Sequence, residues 1–286
     1  MSQDVGNKSP AKPKRSISRN QKILFFATGW LIVLMPFLFW WNTWFGRQLS
    51  EQQLNEYVHD EKKPRHIQHA LVQIGDRMSH GEATVKRWYP DLIRLATDPV
   101  EEVRNTDAWV MGQDTSGAGF HETLLKMLTD PSSMVRGNAA LSLVRFGDAT
   151  GRPQIVGLLQ PAQIHAPEAG RITDADRTGT AIHQGGLIAK LAGQSSQTIE
   201  IRSPIPGRIR FVVDTGANVK AGAEVAVVDP ATEQVWEALR ALYLIGQVDD
   251  LPAIRSYERD LPDISTDVRK QAVETEKAIR ARAHVN

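Results

Sequence analysis

Two copies of one short pattern decide the fold: DPVEEVRNTDA at residues 98–108 and DPSSMVRGNAA at residues 130–140. Each copy follows a segment with apolar residues at helical spacing, YPDLIRLATD (89–98) and FHETLLKMLTD (120–130), that ends at Asp-Pro. Because proline is favoured in the first turn of a helix, a second helix is predicted directly after each Asp-Pro. Each unit is therefore a helix pair whose apolar inner faces become buried when neighbouring units stack on them.

The shared pattern D-P-x-x-x-V-R-x-x-x-A resembles the HEAT repeat family. The resemblance implies an α-solenoid in which the aspartates and arginines of the pattern serve packing and inter-repeat hydrogen bonds rather than catalysis. These residues are Asp98, Arg104, Asp130 and Arg136. Weaker copies flank the central pair: HALVQIGD (His69–Asp76), EALRALYLIG (Glu237–Gly246) and PDISTDVRKQA (Pro262–Ala272).

A second internal repeat, at an offset of 37 residues, lies between those helical segments. Its first copy comprises Pro167, Gly170, Arg171, Ile172, Thr178, Gly179, Ile182, Gly185, Ile188 and Ala189, which map onto Pro204, Gly207, Arg208, Ile209, Thr215, Gly216, Val219, Gly222, Val225 and Ala226. The segment IEIRSPIPGRIRFVV (199–213) alternates as strands do, and the glycines mark turns. The repeat therefore predicts two similar sets of short strands.

The half-motif S-P-x-x-G-x-I followed by G-x-x-V-x-x-G-x-x-V resembles the biotinyl/lipoyl-like family over residues 164–229. That resemblance implies a barrel-sandwich hybrid built from two such halves. The same module occurs in periplasmic adaptor (membrane fusion) subunits of transporters. Those adaptors insert a long coiled-coil hairpin between the halves, whereas Leu191–Arg202 forms a short connection here.

The β-module is predicted to interrupt the helical array rather than to follow it. GRPQIVGLLQP (151–161) is typical of the first helix of a repeat, and its second helix comes after Asp229. The termini of such a module lie close together, so insertion is geometrically easy. We therefore predict an α + β multidomain protein with a basic tail (1–22), a transmembrane helix (23–45), HEAT-like repeats (46–163), an inserted all-β barrel-sandwich hybrid (164–229) and further HEAT-like repeats (230–286).

The N-terminal segment indicates a membrane anchor. Residues 23–45 carry no charge, and a helix of that length spans about 30 Å, the hydrocarbon thickness of a bilayer. Six basic residues and one acid precede it, so the positive-inside rule predicts a cytoplasmic N-terminus and external C-terminal domains. We expect a single-pass protein of the bacterial inner membrane with a periplasmic body; cleavage as a signal peptide is the alternative.

Composition excludes several functional classes. Beyond residue 22 the chain carries 28 basic and 32 acidic residues, which argues against a nucleic-acid-binding domain. No cysteine is present, so there is no disulfide framework or thiolate metal site. The sequence also lacks a phosphate loop, dinucleotide fingerprint, nucleophile elbow or zincin motif, so we expect no enzyme.

Single residues with possible chemistry have simpler structural interpretations. His66 and His69 have helical i, i+3 spacing but no third ligand nearby, and we expect no metal site. Buried or surface imidazoles are expected at His165 and His183, and no activating His/Asp arrangement accompanies the hydroxyl residues Thr178, Ser195, Ser196 and Ser203. The repeat tryptophans Trp88, Trp109 and Trp236 are expected to be core residues.

The function predicted from these features is a membrane-anchored scaffold or adaptor that contacts an envelope or integral-membrane protein complex, such as a transporter or respiratory assembly. The alternatives are a cofactor carrier and a module that binds a small molecule or peptidoglycan. In carriers of the biotinyl/lipoyl-like family the modified lysine occupies the central hairpin tip, which is Ser195 and Ser196 here. Lys190 and Lys220 match no tip position, so the resemblance implies an unmodified module without cofactor.

Overall fold

The computed structural model describes residues 30, 34–35, 48–193, 197–259 and 264–285. The chain divides into two compact units, Met1–Leu49 and Ser50–Asn286, and the fold below belongs to the second. Within the described ranges, no helix is both long and apolar enough to cross a bilayer. The predicted basic tail lies outside those ranges, as does the predicted membrane helix apart from Trp30, Leu34 and Met35.

The described residues of the second unit contain ten α-helices and two short 3-10 helices. They are α1 Glu51–Val58, α2 Pro64–Ser79, 3-10 helix Ala83–Trp88, α3 Tyr89–Leu95, α4 Glu101–Met111, α5 Phe120–Met127, α6 Ser133–Arg145, α7 Arg152–Gly157, α8 Thr232–Ile245, 3-10 helix Val248–Asp250, α9 Leu251–Arg255 and α10 Thr266–Val285. Both helices predicted for each central repeat are present. The predicted second helices before and after them correspond to α2, α8 and α10.

The helices stack as consecutive pairs. Within a pair, α1 packs on α2, α3 on α4, α5 on α6, α7 on α8 and α9 on α10. Between pairs, the second helices form one row in which α2 contacts α4, α4 contacts α6, α6 contacts α8 and α8 contacts α10. The apolar positions of the repeat pattern lie in the core between them, including Leu71, Ile74, Leu92, Leu95, Val103, Leu124, Val135 and Leu143. The predicted helical-repeat solenoid is confirmed.

A buried ion pair joins the two central repeats. Arg104 donates from Nε and Nη2 to the carboxylate of Asp130, over 2.7 and 3.0 Å, and both side chains are nearly enclosed. Its Nη1 donates to the backbone oxygen of Asp98 at 2.8 Å, which holds the turn of its own repeat. The Asp and Arg of the sequence pattern therefore join one repeat to the next.

The β-unit contains eight antiparallel strands: β1 Ala162–His165, β2 Gly170–Ala175, β3 Ala181–Ile182, β4 Leu187–Gly193, β5 Thr198–Arg202, β6 Gly207–Val212, β7 Asn218–Val219 and β8 Glu224–Pro230. They form two four-stranded sheets, ordered β1-β8-β6-β3 and β5-β4-β2-β7. Strands β2, β3 and β4 lie 37 residues before their counterparts β6, β7 and β8. Each strand and its counterpart belong to different sheets. The sequence repeat is therefore a two-fold structural repeat.

The β-unit core reflects the same symmetry. Buried residues occur as pairs separated by 37 positions: Ile164 and Ile201, Ile172 and Ile209, Ile188 and Val225, Ala189 and Ala226, and Leu191 and Val228. The strands begin at Ala162 and end at Pro230, slightly beyond the predicted range of 164–229. The difference arises because β1 completes a sheet by pairing with β8, a long-range contact that the local repeat does not reveal.

The β-unit lies between two helices that pack together. Helix α7 precedes it and contacts α8, which follows it. Gln234 of α8 donates to the carbonyl oxygen of Leu158 at 2.9 Å, and the Tyr257 hydroxyl donates to that of Leu159 at 2.7 Å. Leu158 and Leu159, shortly before β1, are therefore hydrogen-bonded to α8 and to the turn that follows α9.

The β-unit also docks on the central repeats. Glu101, in the first turn of α4, accepts hydrogen bonds from Ser132 Oγ at 2.6 Å and from Gln184 in the β3–β4 turn. Met134 of α6 packs against the β-unit core. These contacts hold the sheets against the N-terminal ends of α4 and α6.

Asp107 provides a stability prediction because its carboxyl group is fully buried in α4. Neither oxygen has a hydrogen-bond partner among the described residues, and the equivalent position of the next repeat is Ala139. Burial raises the pKa of Asp107 well above its usual range, and Asp98 raises it further, although Arg94 opposes this. A raised folded-state pKa favours folding at acid pH, and that contribution is lost as pH rises from about 4 through the folded pKa.

Asp107→Asn, which cannot ionise, is expected to stabilise the protein by roughly 1–3 kcal/mol at neutral pH, and the gain should vanish near pH 4. Urea denaturation followed by circular dichroism at several pH values measures the difference. Asp107→Ala, which introduces the residue of the next repeat, provides a second variant. A variant that is less stable than the wild type at neutral pH would show that the carboxylate has a compensating partner.

Candidate functional site

A partly exposed row on α2, α4 and α6 is the candidate protein-docking surface. We call this row the second-helix face; it comprises Val72, Asn105, Trp109, Asn138 and Leu141. Val72 is 49% exposed and Trp109 is 40% exposed, although both are large apolar side chains. An exposed Trp beside exposed aliphatic carbon is typical of surfaces that bind a protein partner.

The indole of Trp109 lies directly against α2. A Cβ atom added to Gly75 would lie 2.9 Å from Cζ3 of Trp109 and 3.3 Å from Cγ2 of Val110. Glycine at this position therefore lets the ring approach the backbone of α2 while its other side remains open to solvent. The close contact restricts the indole before any partner binds, which lowers the entropic cost of binding.

Polar side chains fix the register between α4 and α6. Asn138 donates to Oδ1 of Asn105 at 2.9 Å, and the buried hydroxyl of Ser142 donates to the carbonyl oxygen of Ala108 at 2.8 Å. Arg145 donates to the carbonyl oxygen of Gly112 at 3.2 Å, at the C-terminal end of α4. These bonds hold the second-helix face as a rigid surface.

The same arrangement recurs between α8 and α10. Thr275 donates to the carbonyl oxygen of Leu239 at 3.0 Å, as Ser142 does for Ala108. Arg282 donates to the carbonyl oxygens of Tyr243 and Gly246, over 2.6 and 3.0 Å, at the C-terminal end of α8. Tyr243 is itself 43% exposed. An ordered second-helix row with exposed apolar residues thus continues beyond the β-unit.

The structure gives His66 and His69 structural partners. Nδ1 of His66 lies 2.8 Å from the Asp60 carboxylate, and its ring stacks on Tyr57 with centroids 4.1 Å apart. Nε2 of His69 lies 2.9 Å from the Gln73 amide, and burial followed by the charge on His66 lowers the pKa of His69. Across the described ranges, no cluster of three His, Cys, Asp or Glu residues could hold a metal ion.

The β-unit residues singled out from the sequence are dispersed. His165 and His183 are exposed, Thr178 lies in an exposed turn, and the buried Ser203 hydroxyl donates to the carbonyl oxygen of Ile205 at 2.6 Å. The predicted hairpin tip, Ser195 and Ser196, lies outside the described residues. Lys190 lies 3.9 Å from the Asp174 carboxylate, and Lys220 is exposed. This part of the protein brings no residue set together for catalysis among those described.

The three repeat tryptophans have different environments. Trp88 is 1% exposed and belongs to the core, as expected. Trp236 is partly buried beneath the guanidinium of Arg240, 4.6 Å from its ring centroid. Trp109 was expected in the core but lies on the surface. The spacing could have indicated this, because Trp109 follows Asn105 by four residues and Glu102 by seven, on the polar stripe of α4.

A groove of 910 Å³ lies between the β3–β6 edge of one sheet, the start of α8 and the residues that follow α9. Arg210 forms a two-pronged ion pair with Asp229 at its wall. Tyr257 also lines the groove, and burial, followed by the charge on Asp229, raises its pKa to about 12. Its hydroxyl therefore remains protonated and donates to Leu159 throughout the physiological pH range.

One protein-family model matches part of the central helices. The family model described as HEAT repeat matches residues 122–149, which contain most of α5 and all of α6. A search of curated proteins finds no match.

Similar solved structures include an engineered protein determined by a structural genomics consortium, with 17% identity over 81% of this chain and 80% of that chain and a TM-score of 0.39. A designed armadillo repeat protein has 15% identity over 79% and 80% of the two chains, with a TM-score of 0.40. Another designed armadillo repeat protein, in complex with the peptide (KR)4, has 16% identity over 79% and 80%, with a TM-score of 0.39. Independently of these structures, the HEAT match over residues 122–149 agrees with the packing of α5 on α6.

Proposed function

We propose that this protein is a non-enzymatic scaffold that binds a protein partner on the second-helix face. The observation that carries the proposal is Trp109, a large apolar side chain that is 40% exposed and held against Gly75. Solenoids present extended surfaces to proteins, and a fixed, partly exposed Trp supplies a large apolar contact at low entropic cost.

The proposed scaffold is anchored in the bacterial inner membrane by residues 23–45, with its repeats on the periplasmic side. The support is sequence-based: an uncharged stretch of bilayer length follows a basic tail. An anchored scaffold would meet its partners in the membrane plane, which favours an integral-membrane or envelope complex.

We further propose that the β-unit is a barrel-sandwich hybrid related to the biotinyl/lipoyl-like family, inserted into the repeat array without a cofactor. Its two exchanged sheets support the family relation, and the bond from Gln234 to Leu158 supports the insertion. The carrier alternative requires a modified lysine, and the hairpin tip has serines instead. An intact mass equal to that of the unmodified chain would agree with this assignment, whereas a mass increase of lipoate or biotin would support the carrier.

Photo-crosslinking of the full chain in native membranes tests the scaffold. A crosslinking amino acid at Val72 should give one defined protein adduct, and adding Trp109→Ala should reduce that adduct at least tenfold, because removal of a central Trp costs about 2 kcal/mol of binding or more. Deletion of residues 1–45 should release the protein from the membrane fraction.

A crosslinker at Phe211 provides the matched control, because this β-unit residue is 41% exposed and lies on another surface. Its adducts should be unchanged by Trp109→Ala. The docking assignment would be wrong if the Val72 adduct persisted undiminished in the Trp109→Ala variant, or if Val72 and Phe211 gave the same adducts.

A further inference from the structure

A pocket of 290 Å³ lies where the central repeats meet the split helix pair and the β-unit. Arg136 of α6, Gln154 and Gly157 of α7, Gln234 of α8 and Ile205 of the β-unit line it. This volume suits a ligand the size of one or two amino acids, smaller than a typical drug-sized ligand. The second-helix face does not include these residues.

Arg136 is the repeat equivalent of Arg104, but among the described residues only Arg104 has a hydrogen-bonded carboxylate. Both arginines use Nη1 in the same way. Nη1 of Arg104 donates to the backbone oxygens of Asp98 and Pro99. Nη1 of Arg136 donates to the backbone oxygens of Asp130 and Pro131, over 2.6 and 2.9 Å. The backbone therefore places the two guanidinium groups identically in consecutive repeats.

The remaining nitrogens of the two arginines differ. Nε and Nη2 of Arg104 bind both carboxylate oxygens of Asp130, in the next repeat. In the third helix pair the residue three positions after the first helix is Gln160, which precedes Pro161 as Asp130 precedes Pro131. Its side chain lines the pocket and carries no carboxylate. Nε and Nη2 of Arg136 consequently have no hydrogen bond to the described residues, and Arg136 faces the pocket.

Two glutamine side chains that line the pocket have amide oxygens without a hydrogen-bond donor among the described residues. Oε1 of Gln154 and Oε1 of Gln234 are buried without a hydrogen-bond partner in the described protein. Their orientation is defined, because Nε2 of Gln154 donates to the carbonyl of Leu128 at 3.4 Å and Nε2 of Gln234 to that of Leu158 at 2.9 Å. Buried acceptors without donors are energetically unfavourable, so a ligand N–H group that reaches either oxygen would be stabilised.

We propose that this pocket binds a carboxylate that carries an adjacent N–H group, as at the C-terminal residue of a peptide or in a free amino acid. Nε and Nη2 of Arg136 bind the two carboxylate oxygens in the geometry that Arg104 uses for Asp130. The ligand N–H donates to Oε1 of Gln234 or Gln154, and Leu158 and Ile205 contact its side chain.

Calorimetry on the full chain in detergent, with three probes, tests this site. N-acetylalanine has the carboxylate and the amide N–H, N-acetylalanine amide lacks the carboxylate, and alanine is the free amino acid. We expect N-acetylalanine or alanine to bind with a dissociation constant of about 1 mM or tighter, and the amide to bind at least tenfold more weakly. Preference for N-acetylalanine identifies a peptide chain end as the source, whereas preference for alanine identifies a free amino acid.

Two variants test the site in different ways. Arg136→Gln removes the guanidinium, and Gly157→Leu fills the pocket at a position where an added Cβ meets no atom within 4 Å. Each should weaken carboxylate binding at least tenfold, while Arg177→Gln, at an exposed arginine of the β-unit outside the pocket, should leave it unchanged. Equal binding of the acid and the amide, absence of binding by both acids, or wild-type affinity in a folded Gly157→Leu variant would overturn the proposal.

Discussion

Replacing Asp130 by alanine is expected to destabilise the solenoid by about 3–5 kcal/mol, because it leaves the enclosed guanidinium of Arg104 without its carboxylate. The two-pronged bond between these residues joins the central repeats, and Arg104 has no second carboxylate hydrogen-bonded to it among the described residues. Urea denaturation followed by circular dichroism measures the loss.

Asp98→Ala is the matched control. Asp98 and Asp130 each accept a backbone N–H bond at 2.8 Å, from Val100 and Ser132. In the part of the chain that the structure describes, only Asp130 of the two also binds an arginine through its carboxylate. The difference between the two variants therefore isolates the inter-repeat ion pair. Equal losses of stability in the two variants would show that the pair contributes nothing beyond the local turn.

The same pair predicts an acid dependence. Burial alone would raise the pKa of Asp130, but hydrogen bonds from Arg104 and Ser132 outweigh it and hold the pKa below its usual range. A lowered folded-state pKa contributes stability above the unfolded pKa, about 4, and that stability is lost as pH falls through the folded pKa. The free energy of unfolding of the wild type should therefore decrease on acidification by the contribution of this ion pair, whereas that of Asp130→Ala should not.

Gly207→Ala is expected to destabilise the β-unit by ~3 kcal/mol, because a methyl group there would overlap a neighbouring backbone atom. A Cβ on Gly207 would occupy the position of the Asp229 carbonyl oxygen in β8, and a Cβ on its repeat equivalent Gly170 would overlap the Ala192 carbonyl oxygen in β4. Strand β6 would have to move away from β8. Hydrogen exchange of β8 amides and thermal denaturation measure the effect.

Gly157→Ala is the control for the glycine substitution. An added Cβ at Gly157 meets nothing within 4 Å, and alanine restricts the unfolded chain more than glycine does, so stability should stay equal or rise slightly. If Gly207→Ala were as stable as Gly157→Ala, the close approach of β6 to β8 at Gly207 would not be required for the fold.

Much of the architecture was predictable because it repeats along the chain. The 32-residue repeat predicts helix pairs that must stack, and the 37-residue repeat predicts two equivalent sets of strands. Both expectations hold because spacing of apolar residues, Asp-Pro steps and turn glycines are local properties that determine secondary structure directly. The resemblance to the HEAT repeat family agrees with the match to residues 122–149.

The site was less predictable, because exposure depends on residues distant in the chain. Trp109 is 40% exposed, and Gly75, on another helix, leaves room for its ring to come close to the backbone of α2. Asp107 has the polar character of a surface residue, yet neighbouring helices enclose it completely. Neither outcome is encoded in the few residues on either side.

The sequence by itself determined the type and order of the elements: a charge-free N-terminal stretch, helix pairs, a two-fold strand repeat and more helices. Tertiary structure decided which polar groups have partners. Arg104 and Arg136 occupy the same position of the same pattern, but Asp130 binds Arg104, whereas no carboxylate of the described residues binds Arg136. The reason is physical: periodicity reports how a residue is oriented on its own helix, whereas burial and pairing depend on what the rest of the chain places opposite it.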